Sequence, residues 1–386
     1  MTGPTERVYN FGAGPAVLPE AVLREVQEHL LALPGAGMSV LEISHRSAAF
    51  EEILTSAETN IRALAGVPEG YHVLFLQGGA TQQFAMVPMN LLGAGATADY
   101  VVTGSWARKA AAEARRFGAV HIAATTEPDG FTRVPAPAEL ELTPGAAYVH
   151  LTSNNTIAGT EWPEMPDVGD SPLVVDASSD ILSRPIDVTR HGLIYAGAQK
   201  NLGPAGVTVV IVRDDLARRA PDGLPTLLRY DTFADSRSLH NTPPVFAIYG
   251  VALVTAWIRD AGGLDEMARR NERKARALYK AIDGSAFYRG TAEPASRSRM
   301  NVTFRLPTPE LDARFVREAA DAGLAGLKGH RSVGGQRASI YNAFPEAGVA
   351  ALVDFMREFE RTRGEPVPAG SRGSPADSAA APDGIR

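Results

Sequence analysis

YHVLFLQGGATQQFAMVPMNLL, residues 71–92, divides at a pair of glycines into two segments of different character. Residues 71–77 are an almost unbroken apolar run, as expected of a strand buried on both faces. Residues 80–92 have helical texture, with Pro88 expected to strain or break the helix. A strand, a glycine turn and a helix in succession open a crossover unit, and the same alternation recurs from about residue 19 to about 260. Pro19 opens a helical run, PEAVLREVQEHLLAL, as proline at a first helical position should. Further short apolar strands are expected at 99–104, 146–152, 172–178, 192–198 and 207–213, with room for crossover helices between most of them.

After Gly262-Gly263 the texture changes to a long charged amphipathic helix, then strand, helix, strand and a last helix ending near Arg363. The expected fold class is α/β: a mostly parallel central sheet in a large domain, plus a smaller α+β C-terminal domain. The expected division is an N-terminal segment 1–18, a large domain 19–260, a small domain 261–363 and a tail 364–386. That tail is rich in Gly, Pro, Ala, Ser and Asp, so it is expected to be disordered.

Of 386 residues, 45% are hydrophobic and 21% charged, and no apolar run approaches the roughly 18 residues of a membrane helix. Residues 1–10 lack the apolar core of a signal peptide, so a cytoplasmic location without membrane association is expected. The absence of cysteine removes disulfides, thiolate metal sites and cysteine nucleophiles. The net charge of -6 comes without a long basic stripe, so a small-molecule partner is expected rather than nucleic acid. The eight histidines show no HExxH or comparable spacing, and no metal site is expected.

In open α/β sheets ligands bind beyond the carboxyl ends of strands, and four such junctions carry conspicuous residues. Gln77-Gly78-Gly79-Ala80-Thr81 offers backbone access and free helix-start N–H groups to an anion. Trp106 follows the strand at 99–104, Asp176 ends VVD, and Gln199-Lys200 follow the strand at 192–198. Taken singly, each reads as a turn, a core aromatic, a helix cap or surface charge. Together, anion seat, aromatic ring, carboxylate and lysine are what pyridoxal 5'-phosphate requires: Lys200 for the Schiff base, Asp176 for the pyridinium nitrogen and Trp106 for the ring face. A P-loop does not fit, because Gln199 and Asn201 flank Lys200 where GxxxxGK[ST] needs Gly and Ser or Thr.

The blocks FGAGPAVLP, SVLEISHRS, LFLQGGATQQFAMVPMNLL, ILSRPIDV, YAGAQKNLGPAG, HNTPP, SRMNVTF and LKGHRSVGGQRASIYNA resemble the phosphoserine aminotransferase family, class V of the fold-type-I pyridoxal phosphate enzymes. The resemblance spans about Tyr9 to Arg363. It implies Lys200 as the Schiff-base lysine, Asp176 on the ring nitrogen and Trp106 on the ring. It further implies Ala80, Thr81, Thr156 and Gln199 around the cofactor phosphate and ring hydroxyl. Asn241 and Thr242 would reach that phosphate from a neighbouring subunit, making a homodimer with shared active sites. Two departures bear on side-chain contacts: some relatives carry arginine where this chain has Thr81, and serine where it has Ala13.

The implied activity is reversible, ping-pong transfer of the amino group from L-glutamate to 3-phosphohydroxypyruvate, giving O-phospho-L-serine and 2-oxoglutarate in serine biosynthesis. The phospho-keto acid of vitamin B6 synthesis is a second candidate substrate. Both partners are dianions and need fixed cations; His45-Arg46, His330-Arg331 and Arg337 match the family's substrate-binding positions. The rivals are an alanine–glyoxylate type aminotransferase with a small neutral substrate and a silent dimer that binds a phosphorylated ligand without using Lys200. Cysteine desulfurase chemistry is excluded by the absence of cysteine.

Overall fold

Seven strands, numbered in chain order, form the central sheet of the computed structural model, which describes residues 7–363. They are β1 (Tyr71–Leu76), β2 (Thr97–Val102), β3 (Ala119–Thr125), β4 (Val149–Thr152), β5 (Leu173–Asp176), β6 (Leu193–Gly197) and β7 (Thr208–Arg213). Their spatial order is β1-β7-β6-β5-β4-β2-β3. Only β7 runs antiparallel to its neighbours, β6 and β1. The turn between β6 and β7 is too short for a crossover, so the chain reverses there, and that reversal carries Lys200.

Apolar side chains alternate between the two faces of the sheet. Val73 and Phe75 join the core formed with helices Ala48–Ala65 and Val245–Asp260, whereas Leu74 and Leu76 join the core under helices Gly79–Leu91 and Ser105–Ala114. A third core gathers Phe304, Phe315, Leu352 and Phe359 from the strands Arg289–Gly290, Asn301–Arg305 and Gln336–Ser339 and the helices packed on them. Phe11 is fully buried in that third core, and the strand Tyr9–Asn10 pairs in parallel with Leu324–Ala325.

Several local expectations change. The helix Gly79–Leu91 continues through Pro88 without a break. Pro88 lies in its last turn, where only one backbone bond is lost, and buried Phe84, Val87 and Leu91 pack the helix onto the sheet. Pro19 sits one residue before helix Glu20–His29, which stops well short of residue 33; Leu33 precedes Pro34 and instead donates its N–H to Met38 O at 2.7 Å. β3, AVHIAAT, was not among the expected strands; it is an edge strand of mostly half-exposed, small residues interrupted by His121. The connections 153–172 and 177–192 hold no α-helix; a small hairpin, Asn154–Asn155 with Thr160–Glu161, and a short turn at Val188–Arg190 fill them. The expected tail at 364–386 lies outside the described residues.

Candidate active site

The carboxyl ends of β1, β2, β4, β5 and β6 supply the site. Beyond β6, Leu202 and Gly203 both donate their N–H groups to Ala198 O, at 3.1 and 2.9 Å, which winds the chain tightly around Lys200. Lys200 Nζ donates to Thr156 Oγ1 and to Ser179 Oγ, each at 2.8 Å. The side chain is half-buried. Burial pulls its ammonium pKa down to about 8, with Arg337 acting in the same sense and Asp176 and Asp180 opposing. Gly14 covers its stem: a Cβ there would lie 3.6 Å from Lys200 Cγ. Gln199 accepts the Ala16 N–H on its carbonyl at 2.8 Å.

Asp176, the last residue of β5, is 5% exposed. Its Oδ1 accepts the Ser178 N–H at 3.0 Å. Burial raises its carboxyl pKa, and the charge of Lys200 works against that rise. The Ser178 hydroxyl also acts on this carboxylate, and a buried carboxylate at the end of a site-forming strand is the type of partner a protonated ring nitrogen requires.

At the end of β1, Gly78 is left-handed (φ 88°) and precedes helix Gly79–Leu91 with no side chain capping the first turn. The leading N–H groups are therefore free for an anion. Ala80 there is half-buried and Thr81 exposed. Gln77 Nε2 donates to Thr242 O at 3.1 Å, which brings the Asn241-Thr242 segment of the same chain to this junction; Asn241 Oδ1 is buried without a partner. Trp106 stands in the first turn of helix Ser105–Ala114, its ring 6.5 Å from that of Phe84 and 4.6 Å from Lys109 Nζ. Gly104, just before it, packs so closely that a Cβ would come 2.5 Å from Asn155 Oδ1, beside Thr156.

Arg337, on the strand Gln336–Ser339, points Nη1 at Thr156 O at 3.4 Å, while its Nε is buried without a partner. Burial lowers its pKa, and no carboxylate acts on it. His330 is also pushed down, first by burial and then by the charges of Arg337, Arg331 and Lys109. Arg337, Arg331 and Lys109 lie close enough to His330 for their charges to disfavour its protonation, so positive charge gathers at this end of the site. His45-Arg46 lies elsewhere, at the start of helix Ala48–Ala65, where Ser47 Oγ accepts the Phe50 N–H at 3.3 Å. Arg46 is exposed and His45 Nε2 is buried without a partner. Among the described residues of one chain, no hydrogen bond or ion pair joins this pair to the Lys200 pocket.

The aminotransferase class-V family model matches residues 8–352. The chain belongs to the class-V aminotransferases. It is 56% identical to a phosphoserine aminotransferase of Desulfosudis oleivorans, covering 93% of this chain and 100% of that protein. The solved phosphoserine aminotransferase of Bacillus circulans subsp. alkalophilus superposes with a TM-score of 0.92 at 53% identity, covering 93% of this chain and 100% of the other. That of Trichomonas vaginalis, solved with pyridoxal phosphate bound, gives 0.88 at 39% identity over 91% of this chain and 100% of the other.

Two residues of this class-V site escaped the sequence reading. Ser179 contacts Lys200 directly, and Tyr341 donates its hydroxyl to Ala13 O at 2.8 Å behind it. Ser179 stands three residues beyond Asp176 in the same DASSD turn, so its position after a site-forming strand was the available signal.

Proposed function

We propose that this class-V aminotransferase binds pyridoxal 5'-phosphate and exchanges the amino group of L-glutamate with 3-phosphohydroxypyruvate, forming O-phospho-L-serine and 2-oxoglutarate. The observation that carries the reading is a lysine whose pKa is pulled down to about 8, Lys200, electrostatically coupled to a buried carboxylate, Asp176, at the ends of neighbouring strands. The uncapped start of helix Gly79–Leu91 and the Trp106 ring fit the cofactor's phosphate and aromatic face. High identity over full length to proteins named phosphoserine aminotransferase supports the substrate pair.

When bound, pyridoxal phosphate supplies a carbonyl carbon for Schiff-base exchange and an electron sink for the bond broken at the substrate α-carbon. Lys200 Nζ, with a pKa of about 8, takes the proton from the donor's α-carbon and later returns one to the acceptor's. Asp176 would pair with the cofactor's ring nitrogen and favour its protonated form, and that positive charge would in turn favour the ionised carboxylate. Ala80, Thr81, Thr156 and Gln199 would hold the phosphate and ring hydroxyl, and Arg337 would take the substrate α-carboxylate in a bidentate grip.

Arg331, with Arg46 of a second subunit, would neutralise the distal phosphate or carboxylate while His330 and His45 hydrogen-bond to it; Asn241 and Thr242, held beside Gln77 of their own chain, would by the family resemblance also reach the phosphate seat of the neighbouring subunit. Leu30, Leu31, Met38 and Leu41 are exposed near His45-Arg46, an apolar surface that a second copy would cover. Residues 19–260 form the cofactor unit in this reading and residues 261–363 bring the substrate cations. The enzyme works in the cytoplasm; among the described residues no single helix is long and apolar enough to cross a membrane. The cation set exceeds what one α-carboxylate needs, which favours a phosphorylated acid over the small neutral acids of alanine–glyoxylate type enzymes.

Borohydride reduction of the protein loaded with pyridoxal phosphate, followed by peptide mapping, tests the reading. Cofactor mass on the peptide containing Lys200 is expected. A wild-type protein with no visible absorbance band after loading overturns it.

A further inference from the structure

Lys200 is released during each half-reaction and must be received somewhere before it can act on a proton. Its Nζ meets two hydroxyls, Thr156 Oγ1 and Ser179 Oγ, both at 2.8 Å, and those oxygens are 2.5 Å apart. Both residues are almost wholly buried, at 4% and 2% exposure. Tyr341 commits its own proton to Ala13 O at 2.8 Å and accepts from Asn301 Nδ2 at 3.1 Å. One of the Thr156 and Ser179 hydroxyls donates to the other across 2.5 Å, and with Lys200 Nζ donating to both oxygens neither hydroxyl proton points at the amine. Lone pairs of both hydroxyls are then left facing Lys200. Asn201, next to Lys200 in sequence, fixes this turn from behind: its Nδ2 donates to Ser179 O at 3.0 Å and its Oδ1 accepts the Asn342 N–H at 3.0 Å.

We propose that Ser179 is a positioning residue that, with Thr156, forms an acceptor-only seat for the freed Lys200 amine and holds its proton for return to the substrate. Ion–hydroxyl hydrogen bonds favour the charged form of the amine, so the seat works against the burial that favours the neutral form. This rests on the assignment of Lys200 as the proton-moving group, but it concerns the free amine and can be read without substrate or cofactor.

The test is the pH profile of Lys200 modification in the cofactor-free protein, with reductive methylation by formaldehyde and cyanoborohydride quantified by mass spectrometry, for wild type and Ser179→Ala. Loss of one acceptor is expected to move the midpoint to lower pH by about half a unit, roughly a threefold faster modification at pH 7. A change in access alone would alter the plateau and leave the midpoint in place. In the loaded enzyme, Ser179→Ala should lower kcat about tenfold with KM for both substrates within about twofold, since the seat acts on proton transfer and not on binding. An unchanged midpoint, or a loss confined to KM, overturns the proposal. Failure of wild type to turn over any amino donor would instead count against the enzyme assignment while leaving the midpoint comparison valid.

Discussion

Arg337 and Thr156 meet across the pocket: Nη1 of Arg337 lies 3.4 Å from the Thr156 carbonyl oxygen, while the Thr156 hydroxyl receives Lys200. A guanidinium from the C-terminal strand Gln336–Ser339 is thereby held beside the reactive amine delivered by β6, and its buried Nε remains free to donate. Arg337→Ala should raise KM for glutamate about 10- to 100-fold, the range lost with a charge-assisted bidentate contact. The cofactor absorbance should be unaffected. Steady-state kinetics with a spectrum of each variant checks both parts; a bleached spectrum with unchanged KM would move Arg337 from substrate to cofactor.

Asp176→Asn keeps the acceptor for the Ser178 N–H, now 3.0 Å from Oδ1, and removes the charge. Turnover should fall about 1000-fold, because removing one partner of a buried ion pair costs about 3–5 kcal/mol. Lys200 loses a charge that raises its pKa, so its midpoint in the cofactor-free variant should fall below about 8. Single-turnover rates and amine modification against pH measure the two effects separately.

Gly78→Ala should weaken the phosphate seat. The residue is at φ 88°, and a Cβ there would come 2.7 Å from the Gln82 Cβ, a contact that no side-chain rotation relieves. The left-handed backbone alone costs about 1–2 kcal/mol in a residue with a Cβ. Cofactor affinity should drop about tenfold, as read by equilibrium dialysis, with a lower melting midpoint.

Beside the buried Lys274, Lys200 makes one separable contribution to the pH dependence of stability in the cofactor-free protein. Its folded pKa of about 8 lies below the ordinary 10.5, so the unfolded chain binds the proton more tightly. Below pH 8 both states are protonated and the penalty of burying the charge is fully present. From about 8 to 10.5 the folded state sheds the proton first and the penalty fades. Lys200→Met should therefore be the more stable protein at pH 7 in denaturant titrations, with its advantage shrinking toward pH 10.

The parallel sheet and the residues beyond its strands were legible because buried strands leave continuous apolar runs and their ends carry the chemistry. β3 was missed, since AVHIAAT is dominated by alanine and interrupted by His121, a weak strand signal at a half-exposed edge. Pro88 misled because tertiary packing by Phe84, Val87 and Leu91 outweighs one missing backbone bond. Asp176 and Lys200 were found as a spaced pair of unusual residue types. Ser179 and Tyr341 were not, because a serine in a turn and a buried tyrosine have ordinary local roles and only the fold brings them to Lys200 and Ala13.

His330, Arg331 and Arg337 are proposed to serve a phosphorylated keto acid. Glutamate-dependent turnover of 3-phosphohydroxypyruvate against hydroxypyruvate under identical conditions tests that assignment most directly. The phosphorylated acid is expected to be favoured in kcat/KM by at least about 100-fold, equivalent to roughly 3 kcal/mol of anion recognition. Equal turnover of the two acids, or preference for hydroxypyruvate, would contradict the account.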